Sequence, residues 1–143
     1  MKRCLLDSNA FSLLVGNLVP EKWSRIWREI RMGQRGVILI EPLVSEMYYK
    51  NIQRFGKKEA RDMVLWLKSL NKTRLYPLDD NDAINAGAIK LDHSRYGLSL
   101  VDCFLLCAAK KHDALILTTD HSVRDVARKM KVETNFLPFQ EVR

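Results

Sequence analysis

Apolar positions along the chain fall into two rhythms. Cys4-Leu5-Leu6, Val37-Ile38-Leu39-Ile40 and Ala114 to Leu117 are short unbroken apolar runs, the pattern of strands buried on both faces. Between them, apolar residues recur at helical spacing. Ser8 to Val15 places Ala10, Phe11, Leu13 and Leu14 on one helix, and Pro20 opens a second with Trp23, Ile26, Trp27 and Ile30 at i, i+3, i+4 and i+7. That tryptophan stripe is expected to lie inside the fold. Gly33 and Gly36 bracket the turn into the second strand.

Pro42 begins a helix that carries Glu46, Met47 and Tyr48 and reaches Phe55, where Gly56 stops it. A further helix spans Lys57 to Leu70 with Ala60, Val64, Leu67 and Leu70 inward. Arg74 to Leu78 reads as a short strand whose Pro77 suits a sheet edge or a strand end, and an edge position is expected. Asp79, Asp80 and Asp82 lead an Ala-rich helix to about Tyr96, since acidic residues favour a first helical turn. Leu98 to His112 is an apolar helix, Ser122 to Met130 an amphipathic one, and Asn135 to Leu137 a closing strand. Strand alternating with helix specifies an α/β fold of three layers, α/β/α, around a mainly parallel sheet of four to five strands, because parallel neighbours need crossover connections. One domain over residues 1–143 is expected.

Composition narrows the function classes. No apolar run approaches the roughly 20 residues of a bilayer span, and the N-terminus lacks the apolar core of a signal peptide, so a cytoplasmic protein is expected. Cys4, Cys103 and Cys107 are an odd set with two members on one apolar helix; buried, reduced thiols fit this better than a disulfide framework. The formal charge of +7, from 24 basic and 17 acidic residues, favours a polyanionic partner such as nucleic acid. The same surplus, scattered as it is, also serves plain solubility.

In an open parallel sheet, ligands bind beyond the carboxyl ends of the strands, which directs attention to acids placed there. Asp7 follows the first strand and Asp120 the strand ending at Leu117-Thr118-Thr119; Glu46 lies a turn into the helix after the second strand, and Asp102 near the start of the helix feeding the fourth. Carboxylates gathered at one edge repel by roughly 4 kcal/mol per pair at 4 Å in an effective dielectric of about 20, and hard oxygen donors suit Mg²⁺ or Mn²⁺. Such a centre serves phosphodiester hydrolysis. Each acid also has an ordinary use: Asp7 and Asp120 as helix caps, Asp102 with Ser99 as a capping box, Glu46 as a solvated helix residue. Glu41 rivals Glu46 for its place.

Together, Leu5-Leu6-Asp7-Ser8-Asn9, Pro42-Leu43-Val44-Ser45-Glu46, Leu98-Ser99-Leu100-Val101-Asp102 and Leu117-Thr118-Thr119-Asp120 resemble the motif series of PIN domains, especially VapC-type toxins, from about Arg3 to Phe136. The resemblance implies that Asp7, Glu46, Asp102 and Asp120 are the metal-binding, catalytic acids of an Mg²⁺- or Mn²⁺-dependent endoribonuclease, with Asn9 and Thr118 orienting them. It further implies single-stranded RNA as substrate, a homodimer, and a small cognate antitoxin. After the last acid the family often has an acidic or amide residue followed by an aromatic, where this chain reads His121-Ser122-Val123-Arg124-Asp125; Asp125 is a candidate replacement and His121 a candidate proton donor. Lys50, Arg54 and Lys58 are candidates to guide RNA only through closeness in sequence to Glu46.

Two phosphate-transfer alternatives fit less well. A dehalogenase-like phosphatase needs a second acid two residues after the first, where Asn9 stands, and a receiver-like domain needs an acidic partner next to Asp7. A non-catalytic RNA-binding protein on the PIN scaffold is the remaining alternative, although concentrated negative charge opposes phosphate approach.

Overall fold

A computed structural model describes residues 1–138, so the last residues of the expected 1–143 unit lie outside the described residues. Five strands, β1 (Cys4–Leu6), β2 (Val37–Leu39), β3 (Thr73–Leu75), β4 (Leu115–Thr118) and β5 (Thr134–Phe136), form one sheet in the order β3-β2-β1-β4-β5. Every pairing is parallel. β1 lies at the centre, registered with Cys4 against Val37 on one side and Leu6 against Leu117 on the other. Strand order reverses between β1 and β4, so their carboxyl ends flank the crevice where such sheets bind ligands.

Among the described residues, seven α-helices connect the strands: α1 (Ser8–Val15), α2 (Glu21–Arg31), α3 (Glu41–Phe55), α4 (Lys57–Ser69), α5 (Asp80–Asp92), α6 (Leu100–His112) and α7 (His121–Lys129). The central strands are dry, with Leu5, Leu6, Ile38, Ile116 and Leu117 fully buried. Trp23 and Trp27 join this core as the α2 stripe requires, and the Trp23 indole N–H donates to Asn135 Oδ1 at 3.2 Å, tying α2 to β5. The three cysteines are buried and unpaired.

Several boundaries differ from the sequence reading. α5 stops at Asp92 rather than near Tyr96; His93 leaves helical geometry, and Ser94–Tyr96 form a single 3₁₀ turn closed by Gly97 at φ 66°. α6 begins at Leu100 rather than Leu98, because Ser99 takes the N-cap. β3 ends at Leu75, two residues before Pro77, which has no N–H to donate to a ladder. β3 lies at the sheet edge, as expected. Gly56, at φ 87°, breaks α3 from α4 in a backbone conformation that a side chain would strain. No described helix is long and apolar enough to cross a membrane.

Candidate active site

β1 ends in Leu6, and Asp7 then turns the chain into α1. Its backbone is extended, and Oδ1 caps the helix by accepting the Ala10 N–H at 2.7 Å. Oδ2 points across the sheet instead, accepting the Thr118 hydroxyl and, at 3.2 Å, the Thr119 N–H. Asp7 is only 7% exposed. Burial disfavours its ionised form and pushes its pKa up to about 6; the hydrogen bonds from Thr118, Ala10 and Thr119 oppose that rise, while the charge of Asp102 adds to it.

Thr118, the last residue of β4, is fully buried, and its oxygen accepts the Asp120 N–H at 3.0 Å. One hydroxyl therefore links the Asp7 carboxylate to the backbone that carries Asp120. Asp120 itself is exposed and caps α7, with Oδ1 accepting from Ser122 at 2.7 Å and Val123 at 3.1 Å.

Asp102 occupies the third position of α6 in a reciprocal capping box: Oδ2 accepts the Ser99 N–H at 3.2 Å, and its own N–H donates to Ser99 Oγ at 3.1 Å. Burial raises its pKa, the bonds to Ser99 lower it, and the charges of Asp120 and Glu46 raise it further. Glu46 is half-buried on α3, where Oε1 accepts the hydroxyl of buried Ser8 at 2.6 Å. A turn farther along, Ser12 donates to buried Asn51 at 2.9 Å, and Asn51 donates to the Met47 carbonyl at 2.8 Å. This polar seam fixes the register of α1 on α3 and with it the position of Glu46. Nothing in the spacing of apolar residues announces the seam, although Ser8 directly after Asp7 is its one sequence signal.

All three aspartates thus perform the capping their local sequence specifies, and their charges still meet. Asp102 is the hub, coupled to Asp7, Glu46 and Asp120. Among the described residues, none of the four carboxylates has a Lys, Arg or His partner within 4.0 Å. Asp102 Oδ1, Asp120 Oδ2 and Glu46 Oε2 accept no hydrogen bond from the described residues. No group of three or more His, Cys, Asp or Glu among those residues is drawn together as a ready-made metal cage. Uncompensated carboxylates with free oxygens match the donor chemistry of a hard divalent cation.

The other candidates are placed differently. Asn9 Oδ1 accepts from Lys50 Nζ at 3.4 Å, so among the described residues it meets a cation and not a carboxylate. Asp125 accepts from Arg124 at 3.0 Å, and Arg124 lies 4.4 Å over the Phe136 ring. His121 is exposed with its ring 4.9 Å from Phe136, and Glu41 is an exposed first residue of α3. A cavity of about 540 Å³, lined by Asp79, Asp82, Ile89, Cys107, Lys111 and Met130 among others, lies at the opposite end of α6 from Asp102; none of the four carboxylates lines it.

No curated protein matches the chain in sequence. In fold it is similar to DNA-bound VapBC from Salmonella typhimurium (15% identity, TM-score 0.69, covering 95% of this chain and 98% of that one). It is also similar to FitAcB from Neisseria gonorrhoeae (20% identity, TM-score 0.64, covering 95% and 98%). A third similar structure is Mycobacterium tuberculosis VapC20, a sarcin–ricin loop cleaving toxin (14% identity, TM-score 0.62, covering 79% and 86%). The sequence profile of the PIN domain matches residues 4–129, and with the all-parallel sheet and the strand-end acids in place, this chain belongs to the PIN domain family.

Proposed function

We propose that the chain is a single-domain, cytoplasmic VapC-type toxin: an endoribonuclease in which Asp7, Glu46, Asp102 and Asp120 hold Mg²⁺ or Mn²⁺ and hydrolyse RNA phosphodiester bonds. The observation that carries this reading is the charge of Asp102, set against those of Asp7, Glu46 and Asp120 with no basic side chain within 4.0 Å among the described residues. When bound, the ion supplies positive charge and Lewis acidity to phosphate hydrolysis. The protein's own part is positional. Thr118 aims Asp7, Ser8 holds Glu46, and the dry strand ends beneath them limit side-chain motion. Asn9, beside Lys50, sits at the rim of this arrangement.

A homodimer and an antitoxin complete the reading. Ile84 and Leu91 on α5 and Leu100 on α6 are each more than half exposed, an apolar surface that a second copy would cover. The similar structures from Salmonella typhimurium and Neisseria gonorrhoeae are described as VapBC and FitAcB, which supports a small partner protein for this chain.

Incubating purified protein with a mixed RNA pool and Mn²⁺ or Mg²⁺ tests the proposal. Cutting that is lost in EDTA and in Asp102→Asn supports it. The capping role of the Asp102 carboxylate favours one alternative, a PIN scaffold that binds RNA without cutting. RNA binding that is independent of metal and unchanged by Asp102→Asn, with no cleavage under any metal condition, would select that alternative.

A further inference from the structure

The basic surplus is not spread evenly. From Lys50 to Lys68 six basic residues stand against two acidic ones, Glu59 and Asp62, a surplus of four in a chain whose whole net charge is +7. This stretch is the outer half of α3 together with α4, the helical hairpin that turns at Gly56. Lys58 pairs with Asp62 at 3.7 Å and is therefore spoken for, which removes one of the three residues that closeness to Glu46 had marked. Lys50, Arg54 and Lys57 have no carboxylate within 4.0 Å among the described residues.

Helical geometry then orders them. Residues three and four apart are neighbours on a helix surface, so Glu46 is followed on α3 by Tyr49 and Lys50, and Lys50 by Gln53 and Arg54. Each step of four residues advances about 6 Å along the axis. Lys50 stands at the near end, with Nζ 3.4 Å from Asn9, two residues after Asp7. Arg54 and, across the Gly56 turn, Lys57 are exposed at the far end. Tyr49, beside Glu46 and Lys50, leaves 61% of its surface in solvent, and an exposed aromatic face next to a line of unpaired cations is the arrangement that binds single strands through backbone charge and base stacking together.

We propose that Lys50, Arg54 and Lys57 form a track along α3 and into the α3–α4 turn that leads the backbone of single-stranded RNA to the carboxylate cluster, with Tyr49 stacking an unpaired base where the track meets the cluster. The inference rests on the nuclease reading for its direction of travel, but it makes a claim about binding that cleavage does not decide. Phosphates need cations at intervals, and bases held in a duplex have no face to offer Tyr49.

The test is fluorescence anisotropy of a labelled single-stranded oligoribonucleotide and its duplex, titrated with the full chain carrying Asp102→Asn so that nothing is cut, across a series of salt concentrations. Lys50→Gln/Arg54→Gln/Lys57→Gln is expected to lower the slope of log affinity against log salt by about 2, since each single-strand phosphate contact contributes roughly 0.7. Tyr49→Ala is expected to weaken single-strand binding by roughly 5- to 150-fold with the slope unchanged, and to abolish any preference over duplex. A control of equal charge, Lys22→Gln/Arg25→Gln/Arg31→Gln on exposed positions of α2, is expected to leave affinity within about twofold of the parent, since residues outside the track make no phosphate contact. An equal loss in the control overturns the track in favour of bulk charge. Unchanged RNA binding in the track variant, with loss of a protein partner instead, also overturns it and assigns the surface to protein docking. Binding that follows these expectations while the unmodified chain fails to cut RNA keeps the track and sinks the nuclease reading.

Discussion

The Thr118 hydroxyl donates to Asp7 Oδ2 while its oxygen accepts the Asp120 N–H. The two strands on either side of the sheet's reversal are thereby joined at their carboxyl ends by one buried group. Thr118→Val keeps the shape of the side chain and removes both bonds, leaving a buried carboxylate oxygen and an N–H short of a partner. A loss of about 1–3 kcal/mol is expected in urea denaturation, with a fall in RNA cleavage, and Thr118→Ser should restore most of each. Val and Ser variants that behave alike would show that the hydroxyl does not matter.

Asp7 gives the metal-free protein a pH dependence whose sign can be worked out. Unfolded, the group loses its proton near 3.8; folded, it keeps the proton up to about 6. Between those values the folded chain binds more protons than the unfolded one, so this group's contribution to stability falls as pH rises from about 4 to about 7, by at most roughly 3 kcal/mol. Asp7→Asn removes the dependence at the cost of the hydrogen bond from Thr119. In EDTA, the melting temperature of Asp7→Asn relative to the parent should therefore climb between pH 4 and pH 7. A constant difference across that range would mean that Asp7 is not held in a destabilised charged form.

Metal binding should reverse that penalty. An ion that binds the folded chain alone stabilises it by about 2.7 kcal/mol at 100 times its dissociation constant, so Mn²⁺ or Mg²⁺ added at pH 7.5 is expected to raise the melting temperature of the parent. Asp102 couples to the other three acids, and Asp102→Asn should abolish most of the shift. Mg²⁺ and Mn²⁺ titrations of a variant outside the cluster, Lys129→Gln, should match the parent. A shift of equal size in Asp102→Asn would remove that residue from the metal centre.

How much of this was legible in the sequence depended on distance along the chain. The three apolar runs announced β1, β2 and β4 because strands covered on both faces are built almost wholly from apolar residues, and Pro77 marked the stretch where β3 ends because it cannot donate to a ladder. The Ser99–Asp102 box was legible because both partners lie within one turn. The α5 terminus was not, since Tyr96 continues the helical spacing while His93 leaves it. Nor could any local pattern pair Ser8 with Glu46, or Thr118 with Asp7, across 38 and 111 residues. The motif series singled out the four acids and Thr118 as candidates, whereas the contact of Ser8 with Glu46 came into view only with the tertiary structure.

The exposed α5 row yields a prediction about assembly. Leu91 is 76% exposed and Ile84 66%, two turns apart on one helix face. Leu91→Glu leaves the monomer core untouched and places a charge where a second copy would have to desolvate it. Multi-angle light scattering is expected to show a dimer for the parent and a monomer for Leu91→Glu, at unchanged helix content. A parent that stays monomeric at high micromolar concentration would leave this surface to another partner.

Ser8 offers the sharpest separation between a positioning role and a packing one. Its hydroxyl meets Glu46 Oε1 at 2.6 Å, and the side chain is buried. Ser8→Ala removes one oxygen from a tight spot, creates almost no cavity, and frees Glu46 to move. If the bond only supports the fold, stability falls by about 1 kcal/mol and cleavage by the remaining folded protein is unchanged. If it holds Glu46 for metal and substrate, kcat falls while the fold stays intact, and the effect disappears once Glu46 is already Glu46→Gln, because the two residues then act as one unit. The double-mutant cycle on kcat decides between these outcomes: coupling well above the few tenths of a kcal/mol seen for independent sites is expected, and simple additivity would assign Ser8 to packing alone.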